Sequence, residues 1–335
     1  MLRVIFCTAV EAELSSLSRA AHSLAEGGGP SVEVVARSRT QLEAPGAVAE
    51  LAAAVPGSHL MIVRLMGGPE SLPGFGELRR VAQEARVPLA VIPSSGEDLP
   101  GVMALGSLPA EDYERVAGYV LYGGETNFRQ LLLWAANRFL GAAHAVEEPR
   151  PRPWEGLYHP DFAEEAAVAA YLEERRQKVS GPVVGVLFYQ TWWLAGNTEF
   201  VDALIREIED QGGTAVPVFL YSARNDELGC RGIEWAVEHY FMREGRPLVD
   251  AVITALMFSQ TVASSSGARP AAPENLYQKL GVPLIKALVC LSSQVEWEQS
   301  LQGLGPLEVV MGVALPEFDG ALITVPIAFR EVKEF

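Results

Sequence analysis

Two carboxylates, Glu317 and Asp319, lie two residues apart between Pro316 and Gly320, with an apolar run on either side. Carboxylates so placed can accept protons or ligate a hard cation. The same residue types also close an Asp-Gly turn or cap a neighbouring helix. A second group follows the apolar run Val183–Tyr189. Tyr189, Trp192 and Trp193 offer aromatic faces for stacking. Asn197 opens the amphipathic pattern Thr198–Gln211, where an Asn N-cap is favoured and free backbone N–H groups attract an anion. His159, within Gly156-Leu157-Tyr158-His159-Pro160-Asp161, can ligate a metal or bond a carboxylate, or can simply pack at a hinge. The candidate catalytic residues are therefore Glu317 and Asp319, and the candidate ligand contacts His159, Tyr189, Trp193 and Asn197.

Positioning these groups requires a sheet. Leu2–Phe6, Val32–Ala36, Leu60–Leu65 and Leu89–Ile92 read as strands, separated by helical patterns over Glu11–Ala25, Gly46–Ala54 and Gly76–Ala85. Such alternation gives a mostly parallel sheet with helices on its faces. Leu65-Met66-Gly67-Gly68-Pro69 follows a strand and can seat a ligand at the strand's carboxyl end or serve as a plain loop. Phe128–Leu140 reads as a helix too short to span a membrane.

The stretch Glu147–Pro153 is rich in proline and charge and holds no regular element. It divides a head domain (1–146) from a second α/β domain (161–335), with 147–160 as a Pro-rich linker. In the second domain Val183–Tyr189, Ala215–Leu220, Val249–Thr254, Leu284–Val289 and Leu307–Val313 read as strands, and Thr198–Gln211 and Gly232–Arg243 as helices. The run to Gly320 and on through Leu322 reads as strand, turn, strand. Asp161 reads as a helix N-cap, with Glu164 three residues on and Arg175, Arg176 and Lys178 at the far end. Residues Ser264 to Pro273 read as a mobile loop. The fold class expected is α/β, with two flavodoxin- or Rossmann-like domains of mostly parallel strands.

Composition narrows the function. Of 335 residues, 26 are basic and 42 acidic, a net charge of −16, which argues against binding nucleic acid or an anionic membrane surface. Cys7, Cys230 and Cys290 are far apart, form no Cys-x-x-Cys pair, and are expected to pack as small apolar residues in a reducing cytoplasm. There is no basic, apolar leader pattern and no long apolar span. His22, His59, His144 and His239 are isolated, so no metal site is assigned, and no phosphate-binding Gly-x-x-x-x-Gly-Lys-Ser/Thr occurs.

Several blocks, taken in order from about Trp154 onward, resemble the large subunits of ATP-dependent tetrapyrrole metal chelatases, the CobN and magnesium chelatase H family. They are Gly156–Asp161, Val184-Gly185-Val186-Leu187-Phe188-Tyr189, Ala195-Gly196-Asn197, Val216-Pro217-Val218-Phe219 and Val313–Gly320. Phe318 and Ile323-Thr324 are more similar to the cobalt branch. Gln190 and Ala321 depart from it, standing where the family often carries Arg. The resemblance implies a corrinoid or porphyrin substrate and separate AAA+ ATPase partners, with cobalt and ATP/Mg used by the full complex and no cofactor held by this chain. It also implies that the chain is the amino-terminal piece, head and neck, inactive alone, since the residues lining the family's insertion cavity lie downstream. Glu317 and Asp319 would then accept the N–H protons that a tetrapyrrole loses when a metal enters. The expected activity is cobalt insertion into hydrogenobyrinic acid a,c-diamide in cobalamin biosynthesis. The alternatives are magnesium insertion into protoporphyrin IX and a hinged two-domain module that binds a small ligand without an ATPase.

Overall fold

The structure, a computed structural model, describes residues 1–93, 99–221, 224–226, 229–257 and 276–331. The chain forms two compact units: Met1–Arg152 with Leu194–Asn197, and Pro153–Trp193 with Thr198–Phe335. Each is built on a mostly parallel sheet flanked by helices, the α/β class that strand–helix alternation implies.

In the first unit, strands β1 (Leu2–Thr8), β2 (Val32–Ser38), β3 (Leu60–Leu65) and β4 (Leu89–Pro93) lie in the order β2-β1-β3-β4, all parallel. Strand side chains alternate between the faces. Val4 and Phe6 pack with helices Ala12–Glu26, Ala110–Tyr122 and Gly124–Leu140, and Phe6 meets Phe128 edge-on at 5.7 Å between ring centroids. Ile5 and Cys7 face the other way, toward Ala47–Ala54 and Phe75–Glu84. Burial on both faces explains why these strands are continuous apolar runs rather than alternating ones.

Residues 141–153 carry no regular element. They are nonetheless fixed to the helix before them. The buried Asn127 amide donates to Arg150 O at 3.0 Å while its Oδ1 accepts from Arg150 N–H at 2.9 Å, and Gln130 Oε1 accepts from Glu147 N–H at 3.0 Å. Part of the segment expected to be linker is sheet: β5 (Glu155–Leu157) pairs antiparallel with β7 (Thr214–Leu220). The buried Glu155 carboxylate anchors it, accepting from Gly232 N–H at 2.7 Å and from the Cys230 thiol at 3.2 Å.

The second sheet adds β6 (Val183–Tyr189), β10 (Ala251–Thr254), β11 (Leu284–Val289) and β12 (Leu322–Ala328), in the order β12-β11-β10-β6-β7-β5. Strands β8 (Met242–Arg243) and β9 (Arg246–Pro247) form a separate hairpin. Leaving out the antiparallel edge β5, the first sheet runs second, first, third, fourth in chain order and the second sheet repeats that order with a fifth strand, β12, added at the end. The order reverses direction between β1 and β3 in one and between β6 and β10 in the other, and in such folds ligands bind outside the strands' carboxyl ends at that point. Gly185, in the middle of β6, leaves room for a neighbour: a Cβ there would stand 2.6 Å from the Phe241 ring.

Three local expectations are corrected. Leu307–Val313 is not a strand but short helix Pro306–Glu308 running into a π-helical turn, Val309–Ala314. Pro306 at the first helical position favours the start, and Glu308 accepts from Gly305 N–H at 2.6 Å. Nor is the run buried, since Leu307 and Val310 are at least half exposed, and the residues before Gly320 continue as helix Leu315–Phe318 rather than a strand. Asp161 caps no helix. Its carboxylate is taken by Arg206 (Nη1 to Oδ2 2.8 Å), and the helix begins at Glu165. Residues Gln190–Ala195 form a helical turn, and the next helix starts at Glu199 with Thr198, not Asn197, before it. Ser264 to Pro273 lie outside the described residues. Among the described residues no helix is long and apolar enough to cross a membrane. All three cysteines are free and buried. Burial pushes the thiols of Cys7 and Cys230 up to about 12 and that of Cys290 to about 11, which leaves them protonated and unreactive.

Candidate functional site

The carboxyl edge of the second sheet gathers polar side chains on one face. Leu187 and Tyr189 of β6, Thr254 of β10 and Lys286 of β11 share that face by strand alternation and register, with Thr254 beside both Leu187 and Lys286. The chain leaving β10 is tied to this group. Met257 N–H donates to the Tyr189 hydroxyl at 2.9 Å, Leu256 N–H to Thr254 Oγ1 at 3.3 Å, and Lys286 Nζ to Leu256 O at 2.6 Å. The buried Tyr277, on helix Leu276–Leu280, shares a hydrogen bond with the Thr254 side chain, and Asp319 lies near enough for its charge to act on the phenol.

Electrostatics single out Lys286. Its side chain is 1% exposed, and burial alone pushes the ammonium down to about 7. Burial and the nearby Asp319 carboxylate push the Tyr277 phenol well above its ordinary range. The cluster thus offers a buried amine whose pKa burial lowers toward neutrality, tied through Leu256 and Thr254 to two phenols, one of which feels the Asp319 carboxylate. Such a set can carry protons or bond the polar rim of an apolar ligand. Lys286 is absent from the candidates that residue types suggest, yet the sequence carries a signal for it: one charged residue inside the apolar run Leu284–Val289.

The candidates that the sequence suggests are not brought to one place. Tyr189 and Asp319 belong to this cluster. Trp193 packs on the opposite face, its ring stacked on Phe219 at 4.2 Å and 7°. Trp192 stands between, edge-on to Tyr189 at 5.2 Å and to Phe200 at 4.9 Å. Asn197 is exposed and falls in the first unit. Glu317 is exposed on its short helix, whereas Asp319 is 5% exposed. His159 follows β5, which runs antiparallel to β7, and so lies toward the sheet's amino edge. There its Nδ1 accepts from Asp161 N–H at 3.2 Å, and its Nε2 stands 3.6 Å from Glu209 Oε1. Burial lowers the imidazole's pKa against the pull of Glu209 and Asp161, and Tyr171 and Phe162 cover the ring. Gln190 is likewise spent internally, donating to Pro153 O. Ala321 is buried in the core. Among the described residues no group of three or more His, Cys, Asp or Glu side chains is placed to hold a metal ion.

Residues 117–334, which include the whole cluster, match the CobN/Magnesium Chelatase family. The chain belongs to that family. It is 35% identical over 244 residues to the aerobic cobaltochelatase subunit CobN of Pseudomonas aeruginosa, covering 72% of this chain and 18% of that one. It is 30% identical over 208 residues to the magnesium-chelatase H protein of Cereibacter sphaeroides, covering 61% and 17%. The fold follows the catalytic subunit of cobaltochelatase from Mycobacterium tuberculosis, with a TM-score of 0.60 and 21% identity over 99% of this chain and 25% of that one. The chain thus spans about a fifth of the length of the curated relatives it matches.

Proposed function

We propose that this chain supplies part of the tetrapyrrole-binding large subunit of an ATP-dependent cobaltochelatase, acting with AAA+ ATPase partners in the cytoplasm. Cobalt is the cargo, and insertion belongs to the assembled chelatase rather than to these residues alone. The observation that carries this is the family match, together with the longer match to the cobaltochelatase CobN relatives, which cover 72% and 98% of this chain against 61% for a magnesium-chelatase H protein. Magnesium insertion into a porphyrin is the second reading, favoured by the 30% identity to a magnesium-chelatase H protein.

Within this proposal the tetrapyrrole contacts centre on Tyr189 and its neighbours at the carboxyl edge of the second sheet. Asp319, and Lys286 when neutral, are the groups suited to take up N–H protons as a metal enters. Trp192, edge-on to Tyr189, is placed to report a bound macrocycle.

The test is tryptophan quenching by hydrogenobyrinic acid a,c-diamide against protoporphyrin IX. Saturable quenching by the corrinoid, weakened about tenfold or more in Tyr189→Ala, is the expected result. Preference for the porphyrin would move the assignment to the magnesium branch. Equal affinity in wild type and Tyr189→Ala would remove the site from this edge. Ligand-induced compaction without any association with an AAA+ ATPase would instead support a free-standing binding module.

A further inference from the structure

His159 is a buried titratable group of the second unit that the proposed site does not use. It is 1% exposed, and Phe162 and Tyr171 cover its ring with centroids 5.2 and 4.8 Å away. One ring nitrogen is committed. Nδ1 accepts from Asp161 N–H at 3.2 Å, so the lone pair lies there and the neutral ring carries its hydrogen on Nε2. The other nitrogen is not committed. Among the described residues Nε2 has no hydrogen-bond partner, and Glu209 Oε1, at 3.6 Å, stands beyond hydrogen-bond reach. Charged and titratable groups face the ring from three elements. Its own segment brings Asp161, whose Oδ2 is 3.8 Å from Nδ1 and whose carboxylate Arg206 holds. Helix Glu199–Asp210 brings Arg206 and Glu209. Helix Glu165–Lys178 brings Tyr171, which donates to Glu209 Oε1 at 2.8 Å, and Arg175, 3.6 Å from the same oxygen.

We propose that His159 is an acid-sensitive latch on the turn that follows β5. Two bonds to His159 close that turn: Phe162 N–H donates to its carbonyl at 3.2 Å, and Asp161 N–H to Nδ1. A proton enters the ring only at Nδ1, since Nε2 already holds one. The acceptor then becomes a donor facing another donor, and the Asp161 N–H bond must break. The new Nδ1–H finds its acceptor in the Asp161 carboxylate, in competition with Arg206. Asp161 thereby loosens from helix Glu199–Asp210, and the turn opens. Glu209, facing Nε2–H, steadies the charged ring. Burial disfavours that charge and lowers the imidazole's pKa below the ordinary 6.5, against the pull of Glu209 and Asp161. The sign follows from linkage. The unfolded imidazole takes a proton below about 6.5 and the folded one only at lower pH. The latch therefore contributes stability above 6.5 and loses it as pH falls toward the folded value. None of this depends on the tetrapyrrole assignment.

The experiment uses the full 335-residue chain, labelled with nitrogen-15 at its five histidines, between about pH 8 and pH 5. At the alkaline end the His159 imidazole should show the Nε2–H tautomer, and on acidification it should take up a proton with a midpoint below 6.5. Over the same range amide exchange in Tyr158–Phe162, corrected for the intrinsic pH dependence of exchange, should rise about tenfold or more relative to β6 and β7. His159→Asn places an amide oxygen, which accepts but takes no proton, near the position of Nδ1 and should flatten that rise. Glu209→Gln removes the facing charge and should move the imidazole midpoint and the rise in exchange together to lower pH. An Nδ1–H tautomer at pH 8 would overturn the latch. So would a ring that titrates with no change in relative exchange, a ring still neutral at pH 5, or an equal rise in His159→Asn. Should His159→Asn not fold, Glu209→Gln decides: a rise in exchange that stays at its wild-type pH overturns the proposal.

Discussion

Each unit buries a cation in its parallel sheet, Arg64 on the third strand of one and Lys286 on the fourth of the other, and the two are treated oppositely. At the carboxyl edge of the first sheet, Arg64 meets the carboxylate of Glu13. At that of the second, Lys286 donates to the carbonyl of Leu256, and its ammonium falls to about 7. Arginine keeps its charge under any burial, so the fold must bring a counter-charge to it. Lysine can shed its proton, so a dipole is enough. The first corner is therefore a fixed pair, and the second can change charge near neutral pH.

Breaking the first corner has the largest expected effect. Arg64→Met strands Glu13 in the core and should destabilise the first unit by about 3–5 kcal/mol, measured by urea unfolding; adding Glu13→Gln should restore most of that loss. If the single variant is as stable as wild type, the pair has no structural role and the contrast between the corners fails.

Lys286→Met sharpens the other half. The unfolded amine holds its proton up to about 10.5 and the folded one only to about 7, so between those values the unfolded chain binds more protons and wild-type stability rises with pH. The advantage of Lys286→Met should be greatest below pH 7, on the order of 2–4 kcal/mol, and shrink as pH climbs toward 10. Parallel stability curves for the two proteins from pH 6 to 10 would mean that Lys286 stays charged in the fold.

Tyr189→Phe removes the acceptor of Met257 N–H and should cost about 1–2 kcal/mol in chemical denaturation, with little change in the fold by circular dichroism. Smallest of all, Glu317→Gln, on an exposed side chain, should leave stability within about 0.5 kcal/mol of wild type, in contrast to any change at the buried Asp319.

Much of the scaffold was legible because apolar runs such as Leu60–Leu65 and Val183–Tyr189 are bounded by turn residues and separated by helical periods. The error at Leu307–Val313 has a plain cause. A short apolar run without alternation has the same composition in a strand and in a helix, and only the Gly305-Pro306 start and the reach of Glu308 tip it toward helix. Asp161 misled for a related reason. Its spacing to Glu164 satisfies a capping pattern, but Arg206, distant in sequence, competes for the carboxylate. The site was half legible. Tyr189 and Asp319 carry chemistry in their residue types, whereas the link between Thr254 and Lys286 exists only through the β10–β11 register. Residue type left His159 open between binding and packing, and Phe162 and Tyr171, which cover its ring, come from the tertiary fold.

The second sheet begins and ends at its rims. Its first strand in the chain, Glu155–Leu157, is one edge, and its last, Leu322–Ala328, is the other, with β6, β7, β10 and β11 between them. A chain made from its amino end must therefore hold the first edge strand waiting until β7, some sixty residues on, has emerged. The sheet grows outward from its middle, and its last rim is laid only when translation has passed Ala328. The first unit's four strands are all complete before Arg152 and face no such delay, so the ribosome can deliver that sheet, though not the unit's later piece Leu194–Asn197, while the second sheet is still open.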